Sequence, residues 1–315
     1  SGNDNPVANI LRYNGFDFQD MSVTFRSSPQ RGMGGRGHIY KMNVDSIPID
    51  TMRFLIRQDS SRVNFRLMVQ NNKRNPQLVF KSIVNGYLDG NRIGADAQFF
   101  DKHNVKGLDM GVMAEMLDSG INVHLAPYEP LIGYKTFRLN TDNYLFLGRD
   151  NRLSAKVDVI ADDGTGVKVY SDDTDPTMLQ DLTVSVNRLN LEQVTSVFPF
   201  MPLISGMMNG DFHLMQDADK QISVVSDMQV GNMAYERMPM GNLGSEFVYL
   251  QDGEDRHRVE ARISRNDDEI GVLSGVYDNS GDGYLDATLD LMRTPLSMVN
   301  GFIPDQLLGF DGFAE

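Results

Sequence analysis

Period-two alternation of apolar and polar side chains constrains this chain more than any other feature. Val63, Phe65, Leu67 and Val69 alternate with Asn64, Arg66, Met68 and Gln70. Leu153, Ala155, Val157 and Val159 alternate in the same way with Ser154, Lys156, Asp158 and Ile160. Leu285, Ala287, Leu289 and Leu291 do so with Asp286, Thr288, Asp290 and Met292. Shorter runs recur at Leu182, Val184 and Val186, at Val259, Ala261 and Ile263, and at Ile93, Ala95, Ala97 and Phe99. Successive strand residues point to opposite faces, so each segment has one apolar and one wet side. Half-buried strands of this kind build antiparallel sheets. The breaks between them carry hairpin chemistry: Asp162-Asp163-Gly164, Asp217-Ala218-Asp219, Gln251-Asp252-Gly253, Asn266-Asp267-Asp268 and Asn279-Ser280-Gly281. Gly, Asn and Asp accept positive φ or bond their own backbone, and so close tight turns. A mainly β chain is predicted, with a long antiparallel meander from Gln216 to Leu291.

Two segments depart from this period. Leu191, Val194 and Phe198 recur at helical spacing before Pro199, and Leu296, Val299 and Ile303 repeat the pattern before Pro304, 105 residues later. Each is followed by a Gly-containing re-entry, Gly206 to Phe212 and Gly309 to Phe313. The spacing predicts short helices near 191–198 and 296–303, ended by proline, as the crossovers of an internal repeat. A soft boundary near residue 175, within the acidic stretch Ser171 to Pro176, separates a β-rich segment (1–175) from a meander repeat (176–315). Ser27 to Gly37, rich in Gly and Arg, reads as a long exposed loop.

Composition removes several classes of function. With 43 Asp+Glu against 29 Lys+Arg, the net charge of −14 disfavours nucleic acid and anionic headgroups as partners, though not lipid tails. There is no cysteine, hence no disulfide and no thiolate metal site or nucleophile. No apolar run approaches the roughly 18 residues that span a bilayer, and no signal peptide opens the chain. Targeting and anchoring segments are expected to lie outside this stretch, which reads as a piece of a longer protein.

Individual motifs are weak. Gly32-Met33-Gly34-Gly35-Arg36-Gly37 matches a dinucleotide fingerprint only formally, because a strand pattern follows it where a helix is needed. Asp278, Ser280, Asp282 and Gly283 imitate a calcium loop, but its twelfth position is Leu289 rather than Glu, so a hairpin turn is the better reading. The five histidines are scattered, and no nucleophile motif or P-loop occurs. No catalytic residue, cofactor or metal ligand is assigned, and the chain is read as a non-enzyme. The 19 methionines suit either core filling or an adaptable surface.

Phe198-Pro199-Phe200-Met201-Pro202-Leu203-Ile204-Ser205-Gly206, followed by Asn209-Gly210-Asp211-Phe212, resembles a short crossover of the TamB (translocation and assembly module) subfamily of AsmA-like envelope proteins. Pro239-Met240-Gly241-Asn242-Leu243-Gly244 and Asn300-Gly301-Phe302-Ile303-Pro304 resemble it too, as do Leu131 to Asn140 and Asp142-Asn143-Tyr144. The likeness covers roughly residues 80–315 and concerns the central body of such proteins. It implies structural roles for Pro199, Pro202, Gly206, Asn209, Gly210, Asp211, Gly241, Asn242, Asn300, Gly301 and Pro304. It also implies a long curved sheet forming an open groove with an apolar interior, in the periplasmic part of a protein anchored in the inner membrane. The partners implied are phospholipid acyl chains and an outer-membrane β-barrel protein, and the family offers no catalytic residues.

The candidate lining of such a groove is Leu182, Val184, Val186, Val259, Ala261, Ile263, Leu285, Ala287, Leu289 and Leu291. Alternation alone leaves two packings open, an accessible apolar face or a dry core closed by a second layer. It likewise leaves open a scaffold that binds barrel proteins through its strand edges without carrying lipid.

Overall fold

The computed structural model describes residues 16–28, 32–44, 47–72, 78–172, 174–175, 177–253, 255–281, 283–292, 294–295 and 312–314. Two compact units are present: residues 1–136 with 196–201, and residues 137–195 with 202–315.

The first unit contains β1 (Phe16–Ser28), β2 (Gly32–Val44), β3 (Ile47–Asp59), β4 (Arg62–Asn71), β5 (Phe80–Asp89), β6 (Arg92–Phe100), β7 (Lys106–Leu117), β8 (Gly120–Ile132) and β9 (Lys135–Thr136). Each pairs antiparallel with its successor. The second contains β10 (Arg138–Leu139), β11 (Tyr144–Gly148), β12 (Leu153–Ile160), β13 (Gly166–Ser171), β14 (Met178–Asn190), β15 (Ile204–Asp217), β16 (Ile222–Tyr235), β17 (Met238–Asp252), β18 (Arg256–Arg265), β19 (Asp268–Asp278) and β20 (Tyr284–Leu291). There β10 and β11 both pair with β12, and from β12 onward the strands pair in sequence order. The fold is mainly β and antiparallel, and it stays open rather than closing into a barrel. Among the described residues β1 pairs only with β2 and β20 only with β19.

The helix expected near 191–198 spans Leu191–Thr195. Asn190 Oδ1 accepts from the Gln193 amide (3.2 Å) as its N-cap. The Thr195 hydroxyl shares its proton between the carbonyls of Leu191 (3.0 Å) and Ile204 (3.1 Å), tying the helical turn to the start of β15. The second helix, near 296–303, lies outside the described residues.

Residues 27–37 are a correction. They form no long loop: β1 runs through Ser28 and β2 begins at Gly32. Glycine-rich text reads as loop because Gly brings no side chain to pack. Here the partner strands supply the missing bulk, since a methyl at Gly37 would collide with the Phe54 ring and one at Gly35 with the Phe25 ring. The same device recurs where Phe65 covers Gly86 and Tyr87 covers Gly94.

The tightest packing in the first unit is aromatic. Phe80 and Phe99 stack at 5.2 Å between centroids, Phe198 stands edge-on to Phe99 at 4.9 Å, and Val197 is buried beside them. In the second unit burial concentrates at Leu139 and on one face of β12, at Ala155, Val157 and Val159.

Candidate functional site, an apolar sheet face

Antiparallel register places directly opposed residues on one face, so following partners from strand to strand traces rungs across the second unit. One rung runs Val157, Val169, Val184, Phe212, Ser226, Phe247, Ala261, Leu273 and Leu289. Beside it runs Val159, Val167, Val186, Gly210, Met228, Ser245, Ile263, Gly271 and Leu291. On the other side lie Leu182, Leu214, Val224, Tyr249, Val259, Gly275 and Ala287. None of these positions carries a charge. Leu285 extends the face through Tyr277 and His257, where Tyr249 Oη and His257 Nδ1 lie 2.8 Å apart.

All ten sequence-predicted lining residues therefore share this face, in matching rungs. Their exposure follows a gradient along it. Val157 on β12 is only 3% exposed, Leu182, Val184 and Val186 on β14 are half-buried, and Leu289 on β20 is 54% exposed. Val259 and Ala261 are half-buried, while Ile263, Leu285, Ala287 and Leu291 are exposed. None of the ten is sealed, and among the described residues no second layer covers them.

The opposite face is polar. Ser185, Asp211, Asp227, Glu246, Arg262, Val272 and Asp290 form one of its rungs, and His213 Nε2 meets Asp181 Oδ1 at 2.7 Å nearby. Acyl chains would find a continuous uncharged surface on one side of this sheet only.

Sequence reasoning missed two parts of this surface. Phe212, Leu214, Met228, Phe247 and Tyr249 join the candidates into a continuous face, yet their strands contain Ser, Gly and Asn that blur the alternation. The first unit has a similar face, with a rung of Val23, Gly37, Phe54, Leu67, Val84, Ala97 and Met110. Its clearest runs, Val63 to Val69 and Ile93 to Phe99, were the available signal.

The motif residues shape the backbone. The ladder between β14 and β15 breaks register between Val186 and Leu189, with Arg188 at φ 50°, and Asn209 Oδ1 accepts the freed Arg188 amide at 2.8 Å. The β16–β17 ladder is irregular between Val230 and Met233, and Asn242 Oδ1 accepts the Asn232 amide at 2.8 Å. These are β-bulges capped by asparagine. Gly206 sits at a third irregularity, between β15 and β16, and Gly241 has φ 90°. Asp211 faces solvent on the polar side, and Pro199 and Pro202 are half-buried after the helical turn. Asn300, Gly301 and Pro304 lie outside the described residues. Gly210 has φ 148°, and a methyl there would collide with the Asp227 carbonyl. Gly210→Ala should cost about 1–3 kcal/mol of stability in urea unfolding. Asn209→Ala should cost less, about 0.5–1 kcal/mol, because water can replace the cap at this exposed bulge.

Among the described residues no cluster of His, Asp and Glu could hold a metal ion, and no helix is long and apolar enough to cross a membrane. Asp278 instead closes a turn, accepting from the Ser280 hydroxyl and from its amide (2.9 Å), which hold its carboxyl below the usual range. In the first unit, partial desolvation and the hydrogen bond Tyr134 Oη donates to Asp101 Oδ2 (3.0 Å) push the phenol up from 10.0 to about 12. A raised phenol pKa stabilises the fold below the unfolded value and ceases to do so as pH rises through about 12. In an ultraviolet titration Tyr134 should ionise above ordinary tyrosines, and Asp101→Asn should bring it back toward them.

No protein-family model, no curated protein and no solved structure matches this chain.

Proposed function

We propose that the chain is a non-enzymatic segment of a TamB/AsmA-like cell-envelope protein whose apolar sheet face shelters lipid acyl chains in the periplasm, between inner and outer membrane. The observation that carries this reading is the run of uncharged rungs across nine strands, left accessible along β14 to β20 among the described residues. An exposed acyl chain of roughly 14 methylenes gives up about 11 kcal/mol to water, at about 0.8 kcal/mol each. A carrier must offset that with continuous apolar contact and no buried charge, which is the pattern of these rungs. In this setting an outer-membrane barrel protein is the partner expected at the far end of the path. Organic extraction of the purified chain followed by mass spectrometry tests the reading: phospholipid above the level found with a polar β protein handled identically is expected. Its absence, together with no uptake of a fluorescent fatty acid, would sink it.

A second reading rests on β20, whose eight residues are all exposed and which pairs on one side only among the described residues. An edge of this kind can accept an incoming strand by augmentation. Crosslinks from β20 to an unfolded barrel protein, in the absence of bound lipid, would favour that scaffold over the lipid path.

A further inference from the structure

Register in the first unit assembles a cationic cluster on the face opposite the apolar rungs. On β3, Leu55 is 51% exposed and lies directly opposite Arg36 of β2 and Arg66 of β4. Arg53 and Arg57 flank it two residues away along the same strand, on the same face. Four exposed arginines thus surround one exposed leucine, Arg36 and Arg66 about 5 Å from it across the strands and Arg53 and Arg57 about 7 Å from it along its own strand. None of the four has an ion pair or side-chain hydrogen bond among the described residues. The nearest carboxylates in register are Asp59, opposite Arg62 at the strand end, and Asp96, two strands beyond Arg66, which accepts from Asn85 (2.8 Å). Like charges on neighbouring strands repel, so the arrangement costs stability unless an anion occupies it. It is also the reverse of the chain's net charge of −14.

We infer that this face docks on the phosphate headgroups of an anionic phospholipid bilayer. Guanidinium groups match phosphate oxygens in two-pronged hydrogen bonds. A concavity of about 570 Å³ bounded by Arg36, Arg53, Arg66, His38, Leu55 and Met68 gives those oxygens somewhere to sit. The centre of the cluster decides the class of anion. Leu55 and Met68 reach beneath the headgroups while the arginines stay at phosphate depth, whereas a nucleic-acid surface would set an aromatic platform there. The inference stands apart from the lipid-sheltering reading, because it rests on β2 to β4 of the first unit rather than on β14 to β20 of the second, and it needs no acyl chain in the protein.

The experiment is flotation of the whole chain with phosphatidylcholine vesicles, with and without phosphatidylglycerol, over a range of salt. Binding is expected only with phosphatidylglycerol and is expected to weaken as salt rises. Each arginine changed to Gln should weaken it about fivefold, and the four together by several hundredfold. Changing the four to Lys should keep most of the binding, which separates lost charge from lost fold. Equal binding to both vesicles, unchanged binding by the four-Gln chain, or loss of binding by the four-Lys chain overturns the inference. So does displacement by inorganic phosphate at low concentration, which would mark a free-anion site, or by a single-stranded oligonucleotide that binds more tightly than vesicles.

Discussion

Leu289→Asp is expected to reduce the lipid that co-purifies with the chain about tenfold while leaving its urea midpoint nearly unchanged. Leu289 ends the central rung and is 54% exposed, so folding loses little when it becomes polar, on the order of 0.5 kcal/mol or less. An acyl chain on that rung would lose contact worth about two methylenes, roughly 1.6 kcal/mol, and would meet a carboxylate it cannot solvate. The neighbouring Thr288→Asp supplies the control. It adds the same charge one residue away but on the opposite face, and should leave lipid content unchanged. If both variants lost lipid equally, the charge would be acting through the whole molecule, and the assignment of the apolar side would fail. If neither did, Leu289 would be no part of a lipid path.

Phe99→Ala should be the most destabilising single truncation in the first unit, by about 3–5 kcal/mol in urea unfolding. The ring is 5% exposed, stacks on Phe80 at 5.2 Å and meets Phe198 edge-on at 4.9 Å. Removing it opens a cavity walled by rings and Val197, which β strands on either side hold apart. Leu285→Ala makes the contrast, because that side chain is 72% exposed and its loss should stay within about 0.5 kcal/mol. Equal costs at the two positions would mean that Leu285 is packed against something in solution, and the face would then be covered rather than accessible.

Much of the β architecture was legible in the amino-acid text, because the pleat converts alternation directly into faces. Each candidate set, Leu182 to Val186, Val259 to Ile263 and Leu285 to Leu291, did present a single side. Glycine misled at 35 and 37, where the bulk that makes the segment a strand belongs to Phe25 and Phe54 on other strands. The arginine cluster was also hidden: Arg36 and Arg66 stand 30 residues apart in sequence and meet only because both oppose Leu55. The bulges escaped notice for a related reason. Asn209 and Asn242 look like turn residues, and their task of accepting the amides of Arg188 and Asn232 exists only once neighbouring strands are in place.

By itself, the sequence determined strand character, the apolar side of each strand and the absence of cysteine chemistry, since these depend on residues adjacent in the chain. Tertiary structure decided which strands share a rung, that no charge interrupts the apolar rungs, where burial gives way to exposure, and that four arginines meet around one leucine. Those outcomes depend on register between distant segments, and a shift of one residue would have turned every one of these side chains to the other face.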